Sequence, residues 1–281
     1  MYSHSEVMPS AGPIVSDEAC IVQTDNQRDL VRITSRSVQA VIYVPRTLPD
    51  WFLNLAAAVE NGAFEVPRTI LQNVTHDEVE QWVEVNVSTT RLSCEVLTAL
   101  KTDIMELVDC LAGLSSARRF SLRIFTGAPT TDCGFHVDTV PPGASTCGLL
   151  RVYNGAGTAY VEPANVTGIR DFYHYLSRRE RLERERAVAR RNAVLEDCER
   201  LEREIKQLDL QPGFLKHRGQ VQIAPAGSIV AFKHLDISRH WSNHGKELAW
   251  IHCSPMQGNP RLVINISNPQ PVQRRTGWIA P

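Results

Sequence analysis

The run CGFHVDTVP, residues 133–141, sets an imidazole and a carboxylate two positions apart, His136 and Asp138, among apolar neighbours. Read as a β-strand, it turns both polar side chains to one face and Phe135 and Val137 to the other. Two such donors can grip a metal ion if a third reaches them from elsewhere in the chain. His252, in the later apolar stretch IHCSP, is the candidate third ligand, and Arg261 follows nine residues on. Pro255, Gly258 and Pro260 mark a tight connection between these two stretches, so the strands bearing His252 and Arg261 are expected to be hairpin neighbours. Two histidines and one carboxylate form a facial set that suits Fe(II) and leaves coordination positions open for O2 and a co-substrate. A closed structural zinc site needs a fourth protein ligand, which no regular spacing supplies. Arg261, always protonated and forked, suits the distal carboxylate of a bidentate acid such as 2-oxoglutarate.

Several other polar residues compete for roles around such a centre. Arg151 and Tyr153 share one face of LLRVYNG, either as contacts to co-substrate or substrate or as exposed strand residues. Asn265 shares the face of Arg261 if that strand is regular, which places it in the same pocket. Trp250 lies on the face of His252, as a floor to the site or as core packing. His240 and His244, in the polar segment RHWSNHGKE, are rival third ligands, His234 is another histidine to be placed, and His217 reads as a surface residue.

The elements that must position these groups are short and β-rich. FSLRIF, GFHVDTV, GLLRVYNG and TAYVEP, then QVQIAP, GSIVAFKH, LAWIHCSP and RLVINIS, give eight strands with turn residues between them, the pattern of a jelly roll or β-sandwich. Between the two groups of four lies an insertion, 169–214, with no Gly or Pro from 170 to 210. Its leucines and valine at 182, 188, 195, 201 and 208 draw a thin apolar seam among alternating charges. It is expected to be either one long helix or a helical pair, acting as a lid or as the contact of a homodimer. Ahead of the strands, residues 27–114 read as a mainly helical region. VQAVIYV (38–44) is a strand, LPDWFLNLAAAVENG a helix closed by Gly62, THDEVEQWVEVN a helix with a Thr75/Glu78 capping box, and 93–114 a third helix. Residues 1–26 read as a flexible tail.

The 281 residues suffice for a substantial core, and the net charge of −1 gives no global attraction to nucleic acid. No apolar run approaches the roughly 20 residues of a membrane helix. The opening residues lack the charged head and apolar block of a secretory signal. Seven cysteines, an odd number without CxxC spacing, fit a reducing cytoplasm better than a disulfide framework. Cys133 draws notice only because it adjoins the proposed ligands.

In their order, the HxD strand, the Gly-rich strand, the PAGSIVAF strand and the final His and Arg resemble the double-stranded β-helix of the Fe(II)/2-oxoglutarate-dependent oxygenases. More closely, CGFHVDTVP, RVYNGAGTAYVEP, APAGSIVAFKH and IHCSPMQGNPRLVIN resemble the bacterial family called domain of unknown function 1826. The resemblance covers about 115–168 and 215–268, and the whole core is taken as 115–168 with 215–281. It implies an α+β protein with a double-stranded β-helix core, iron held by His136, Asp138 and His252, and Arg261 on the C5 carboxylate of 2-oxoglutarate. Two departures stand out. Position 263 is Val where many oxygenases carry Ser two residues after the anchoring Arg, and the Asp138 to His252 interval is long, the insertion accounting for part of it. The implied activity is oxidation of a C–H bond in a small molecule, with 2-oxoglutarate and O2 converted to succinate and CO2. Two alternatives remain open on the residues alone: a non-enzymatic zinc-handling or sensing protein, and an iron oxygenase that needs no 2-oxoglutarate.

Overall fold

The computed structural model describes residues 20–89, 91–128, 134–143, 147–255 and 257–269. Cys133 lies outside them.

The backbone is organised on a seven-stranded sheet, built from β1 (Ile21–Thr24), β2 (Ala40–Tyr43), β3 (Thr69–Val74), β4 (Phe120–Gly127), β6 (Cys147–Val152), β9 (Ile229–Lys233) and β12 (Arg261–Ser267). Its order is β1-β2-β9-β6-β12-β4-β3, antiparallel throughout except for the β1–β2 pair. Smaller ladders face it. The β7 strand (Thr158–Tyr160) lies between β8 (Gln222–Ala224) and β11 (His252–Cys253), and β5 (Thr139–Val140) runs beside β10 (Leu235–Asp236). A bridge between His136 and His252 ties the two small ladders together.

Alternation along the strands separates two cores. On β12, Leu262, Ile264 and Ile266 face the helices α1 (Asp50–Glu60), α2 (His76–Asn86) and α3 (Cys94–Ser115), where they join Phe52, Leu100, Ile104 and Leu111. Val263 faces inward, between the sheets, with Leu150, Val152, Phe232, Tyr160 and Trp250. Each fully buried side chain of this size contributes roughly 1.5–3 kcal/mol. The N-terminal helices start and stop where the local chemistry requires. Thr75 caps α2 reciprocally with Glu78, Ser93 caps α3 through Val96 N–H, and Gly62, at φ +72°, takes the left-handed turn after α1.

Two sequence expectations change here. Residues 21–24 form strand β1 rather than tail, and the region 27–114 contributes β3 to the main sheet besides the expected strand at 38–44, which is β2, and its helices. Four-residue strands such as IVQT carry too short a pattern to be recognised before their partners are known.

The insertion folds as an antiparallel pair, α4 (Ile169–Arg191) and α5 (Leu195–Leu210), reversed at Ala193 with φ +56°. Leu182, Ala189, Leu201 and Ile205 close its seam internally, whereas Val188 and Leu195 of the expected seam are 46% and 75% exposed. Toward its base, Ile169, Phe172, Tyr173, Tyr175 and Leu176 pack on Phe135, Val137, Phe214 and Ile251, so the hairpin is rooted against the small ladders.

Candidate metal centre

The strand assignment of GFHVDTV holds in its alternation and fails in its regularity. Phe135 and Val137 are buried against the hairpin base, while His136 and Asp138 point the other way. Only 139–140 form a continuous ladder, with His136 held by a single bridge. That bridge is reciprocal: His136 N–H donates to His252 C=O at 2.9 Å, and His252 N–H donates to His136 C=O at 3.0 Å. Residues directly opposite in an antiparallel pair project to one face. The two imidazoles are therefore brought together, with ring centroids 4.3 Å apart.

Both rings are fixed in the same way. His136 Nδ1 is 2.8 Å from Gly134 C=O and His252 Nδ1 is 3.0 Å from Trp250 C=O, in each case the carbonyl two residues upstream. A carbonyl only accepts, so Nδ1 carries the proton and the Nε2 lone pair is left free, the tautomer a metal ligand needs. Asp138 lies between them, Oδ1 3.9 Å from His136 Nε2 and Oδ2 3.8 Å from His252 Nε2. The three donors gather within 4.8 Å of one another. Burial, aided by repulsion from His136, drives the pKa of His252 down to about 3 and keeps it neutral. At Asp138 burial opposes ionisation, but His252, His136, His234 and Arg123 together outweigh it and hold the carboxyl below its usual range. Two imidazoles and one carboxylate, with the second ring nitrogens already satisfied, fit a divalent transition metal.

The remaining sequence candidates divide by sheet face. Trp250, 2% exposed, stacks on His252 with centroids 4.0 Å apart and planes 17° from parallel. Its buried indole N–H has no acceptor among the described residues, leaving a donor beside the triad. Arg261 is buried at the start of β12, and its Nη1 donates to Ala156 C=O at 2.8 Å. Asn265, two residue pairs along the same inner face, lines a cavity with Asp138. Arg151 and Tyr153 are on the opposite face of the main sheet, toward the helices. Arg151 donates to Asp103 Oδ1 at 2.6 Å and the Tyr153 hydroxyl to Asp103 Oδ2 at 2.7 Å, a buried network between β6 and α3. Strand alternation correctly paired these two residues, but their side of the sheet depends on where the helices pack. Arg151→Met is therefore expected to destabilise the fold by about 3–5 kcal/mol, through an unpaired buried Asp103, and to leave metal affinity unchanged. A urea unfolding midpoint and a metal titration read the two effects separately.

Of the rival histidines, His240 and His244 pack on Tyr173, with His244 Nε2 2.6 Å from its hydroxyl, and His217 is exposed. His234 is buried, borders the same cavity as Asp138, and sits edge-on to Phe232. Two further residues escaped the sequence reading. Tyr160 lies opposite His252 in the β7–β11 ladder and is 5% exposed, and Arg123 lines the cavity beside Asp138. Tyr160 needed the ladder register to be found. A charged residue in the otherwise uncharged FSLRIF was a usable signal for Arg123.

The segment that carries His136 is gripped from behind by the hairpin. Tyr175 of α4 accepts the Phe135 N–H at 3.0 Å and donates its hydroxyl to Asp209 Oδ1 of α5 at 2.5 Å. Arg179 Nε lies 3.0 and 3.1 Å from the two Asp209 oxygens, and Arg179 also pairs with Glu183. A Cβ on Gly134 would collide with Arg179 Nε and come within 2.5 Å of the Tyr175 hydroxyl, so only glycine fits there.

The sequence model of the family described as "Protein of unknown function (DUF1826)" matches residues 24–266. The chain belongs to this family. The match spans the triad, the hairpin and the N-terminal helices, beyond the two β segments on which the sequence resemblance rested. No curated protein matches the DUF1826 chain. Among solved structures it is similar to the rice dioxygenase for auxin oxidation, at 10% identity and TM-score 0.42 over 91% of this chain and 84% of that one. It is similar also to the Arabidopsis thaliana dioxygenase for auxin oxidation 1 in its 2-oxoglutarate complex, at 10% identity and TM-score 0.40 over 89% and 92%. A Pseudomonas putida prolyl-4-hydroxylase is similar at 10% identity and TM-score 0.29 over 77% and 91%.

Proposed function

We propose that this DUF1826 protein is a mononuclear non-haem Fe(II) oxygenase that uses 2-oxoglutarate to oxidise a C–H bond of a small molecule. The observation that carries the reading is the convergence of His136 Nε2, His252 Nε2 and an Asp138 oxygen, with both Nδ1–H groups tied to backbone carbonyls. Strand order supports it. The main sheet runs β4-β12-β6-β9 through its centre, and opposite it the His136 segment, β11, β7 and β8 follow in turn. Along the chain these eight strands alternate between the facing sheets except at β7 and β8, which are paired in the smaller sheet on either side of the insertion, the order of a double-stranded β-helix.

Iron bound to the triad would supply the redox chemistry, in which O2 and 2-oxoglutarate give succinate, CO2 and an oxidised substrate. The protein's own part is positioning. Arg261, fixed by the Ala156 carbonyl, is the proposed anchor of the distal carboxylate, and the Trp250 indole N–H is a spare donor for the same ligand. Trp250, Phe232, Tyr160 and Val263 form an apolar wall that excludes water from the space between the sheets.

Anaerobically purified protein loaded with Fe(II) is expected to form succinate from 2-oxoglutarate slowly without substrate, on exposure to O2. Asp138→Asn is expected to abolish this turnover, and Arg261→Gln to raise the KM for 2-oxoglutarate by about tenfold or more, with a smaller change in kcat. Tight zinc binding with no succinate formed by the iron-loaded protein would overturn the oxygenase reading and favour a metal-handling role.

A further inference from the structure

Cationic side chains line two cavities beside Asp138 and His234 in a protein whose overall charge is −1. Two cavities, of about 230 and 360 Å³, meet at His234. The first is lined by Asp138 together with Arg123, Asn265, Ser121, Ser267 and Gln72. Register places Arg123 directly opposite Asn265 across the β4–β12 pair, so the guanidinium and the amide share one face. Arg36, Lys233 and Arg239 line the second cavity, where Asp236 is the one carboxylate. Asp236 accepts the Ser238 N–H at 2.8 Å, and Arg239 also favours its ionised form.

Arg123 lines the cavity that contains Asp138 and lowers its pKa, while Arg36 and Arg239 line the cavity beyond His234, where Arg239 acts on Asp236. Converging cations beside a recessed polar cavity raise the local concentration of anions and orient them. Arginine forks suit carboxylate and phosphate groups in particular.

Resting on the oxygenase reading for the identity of the centre, we infer that the substrate is a small molecule with two anionic groups. One is held by Arg123 and Asn265 in the cavity that contains Asp138, and the other by Arg36 and Arg239 beyond His234. Ser121, Ser267 and Gln72 supply hydrogen bonds to its uncharged polar part. At about 230 and 360 Å³ the cavities lie below and at the lower end of the roughly 300–1,000 Å³ of drug-sized sites, which suits a compact metabolite.

The test uses full-length protein loaded with Zn(II) and saturated with 2-oxoglutarate, titrated by ligand-observed NMR with glycerol, glycerate, glycerol 3-phosphate and 3-phosphoglycerate. Affinity is expected to rise along this series and to fall as salt is added. Arg123→Gln is expected to weaken 3-phosphoglycerate by about tenfold, and the Arg36→Gln/Arg239→Gln double variant by a similar factor, with Zn(II) affinity unchanged in the double variant. Equal binding of glycerol and the anions, or no effect of either variant, would overturn the inference. Preference for a single-stranded oligonucleotide over all four probes would overturn the small-molecule assignment. Anion binding in a protein that never forms succinate would remove the oxygenase reading and leave the anion site standing. Succinate formation without anion binding would do the reverse.

Discussion

Replacing His252 by alanine is expected to lower affinity for Co(II) or Mn(II) by at least about a hundredfold. Loss of an outer hydrogen-bond partner alone typically costs about 10–100-fold, and here a ligand itself is removed. His252 joins the centre in two ways at once. Its backbone forms both hydrogen bonds that bring the His136 segment to β11, and its ring supplies a neutral Nε2 beside Asp138. The alanine variant keeps the backbone pair and loses the donor, so circular dichroism should report an intact fold while competition against a chelating dye reports the lost metal. Alanine also removes the ring stacked on Trp250, and a drop of about 1–3 kcal/mol in stability is expected from that packing. His240→Ala, remote from the triad against Tyr173, should bind metal as the unaltered protein does. Equal metal affinity in the two variants would mean that the gathered side chains do not form the binding site.

Gly134→Ala and Asp209→Asn are expected to reach the same centre from behind. The alanine methyl would have to displace the Arg179 guanidinium or the Gly134 backbone, a strain costing about 1–3 kcal/mol. Asp209→Asn removes a fully buried carboxylate that offsets the charge of Arg179, and a loss of about 3–5 kcal/mol is expected. Stability is one part of the outcome. The Gly134 carbonyl orients the His136 ring, and Phe135 N–H is held by Tyr175, so movement at either point shifts the first ligand. Metal affinity should therefore fall by about 10–100-fold in the folded fraction of both variants. Leu182→Ala, buried in the far part of the hairpin, serves as the control. It should cost about 2–5 kcal/mol and leave metal affinity untouched. If all three variants lose stability and none loses metal, the hairpin braces the fold without positioning the ligand.

The hairpin illustrates what periodicity reveals and what it omits. Charge alternation and the absence of Gly and Pro marked 170–210 as helical, and two of the five seam positions, Leu182 and Leu201, are buried. Nothing in the charge pattern separated Arg179 and Asp209 from their solvated neighbours. Their role depends on the turn at Ala193 folding α5 back on α4, so that residues thirty positions apart meet beneath Gly134. The eight β-rich stretches were also recognisable, because alternation and turn residues are local properties. Strands β1 and β3 were not, since each depends on a partner that supplies half of its burial.

By itself the sequence determined the donor types, the shared face of His136 and Asp138, the helix caps, and the separation of a β core from a helical insertion. Each follows from backbone geometry within a few residues. Tertiary structure alone decided that His252 rather than His240 or His244 meets the pair, that Arg151 and Tyr153 turn toward Asp103, and that Arg123 faces the cavity. Those outcomes depend on strand register and on which sheet face the helices cover, and both are set by contacts between residues far apart in the chain.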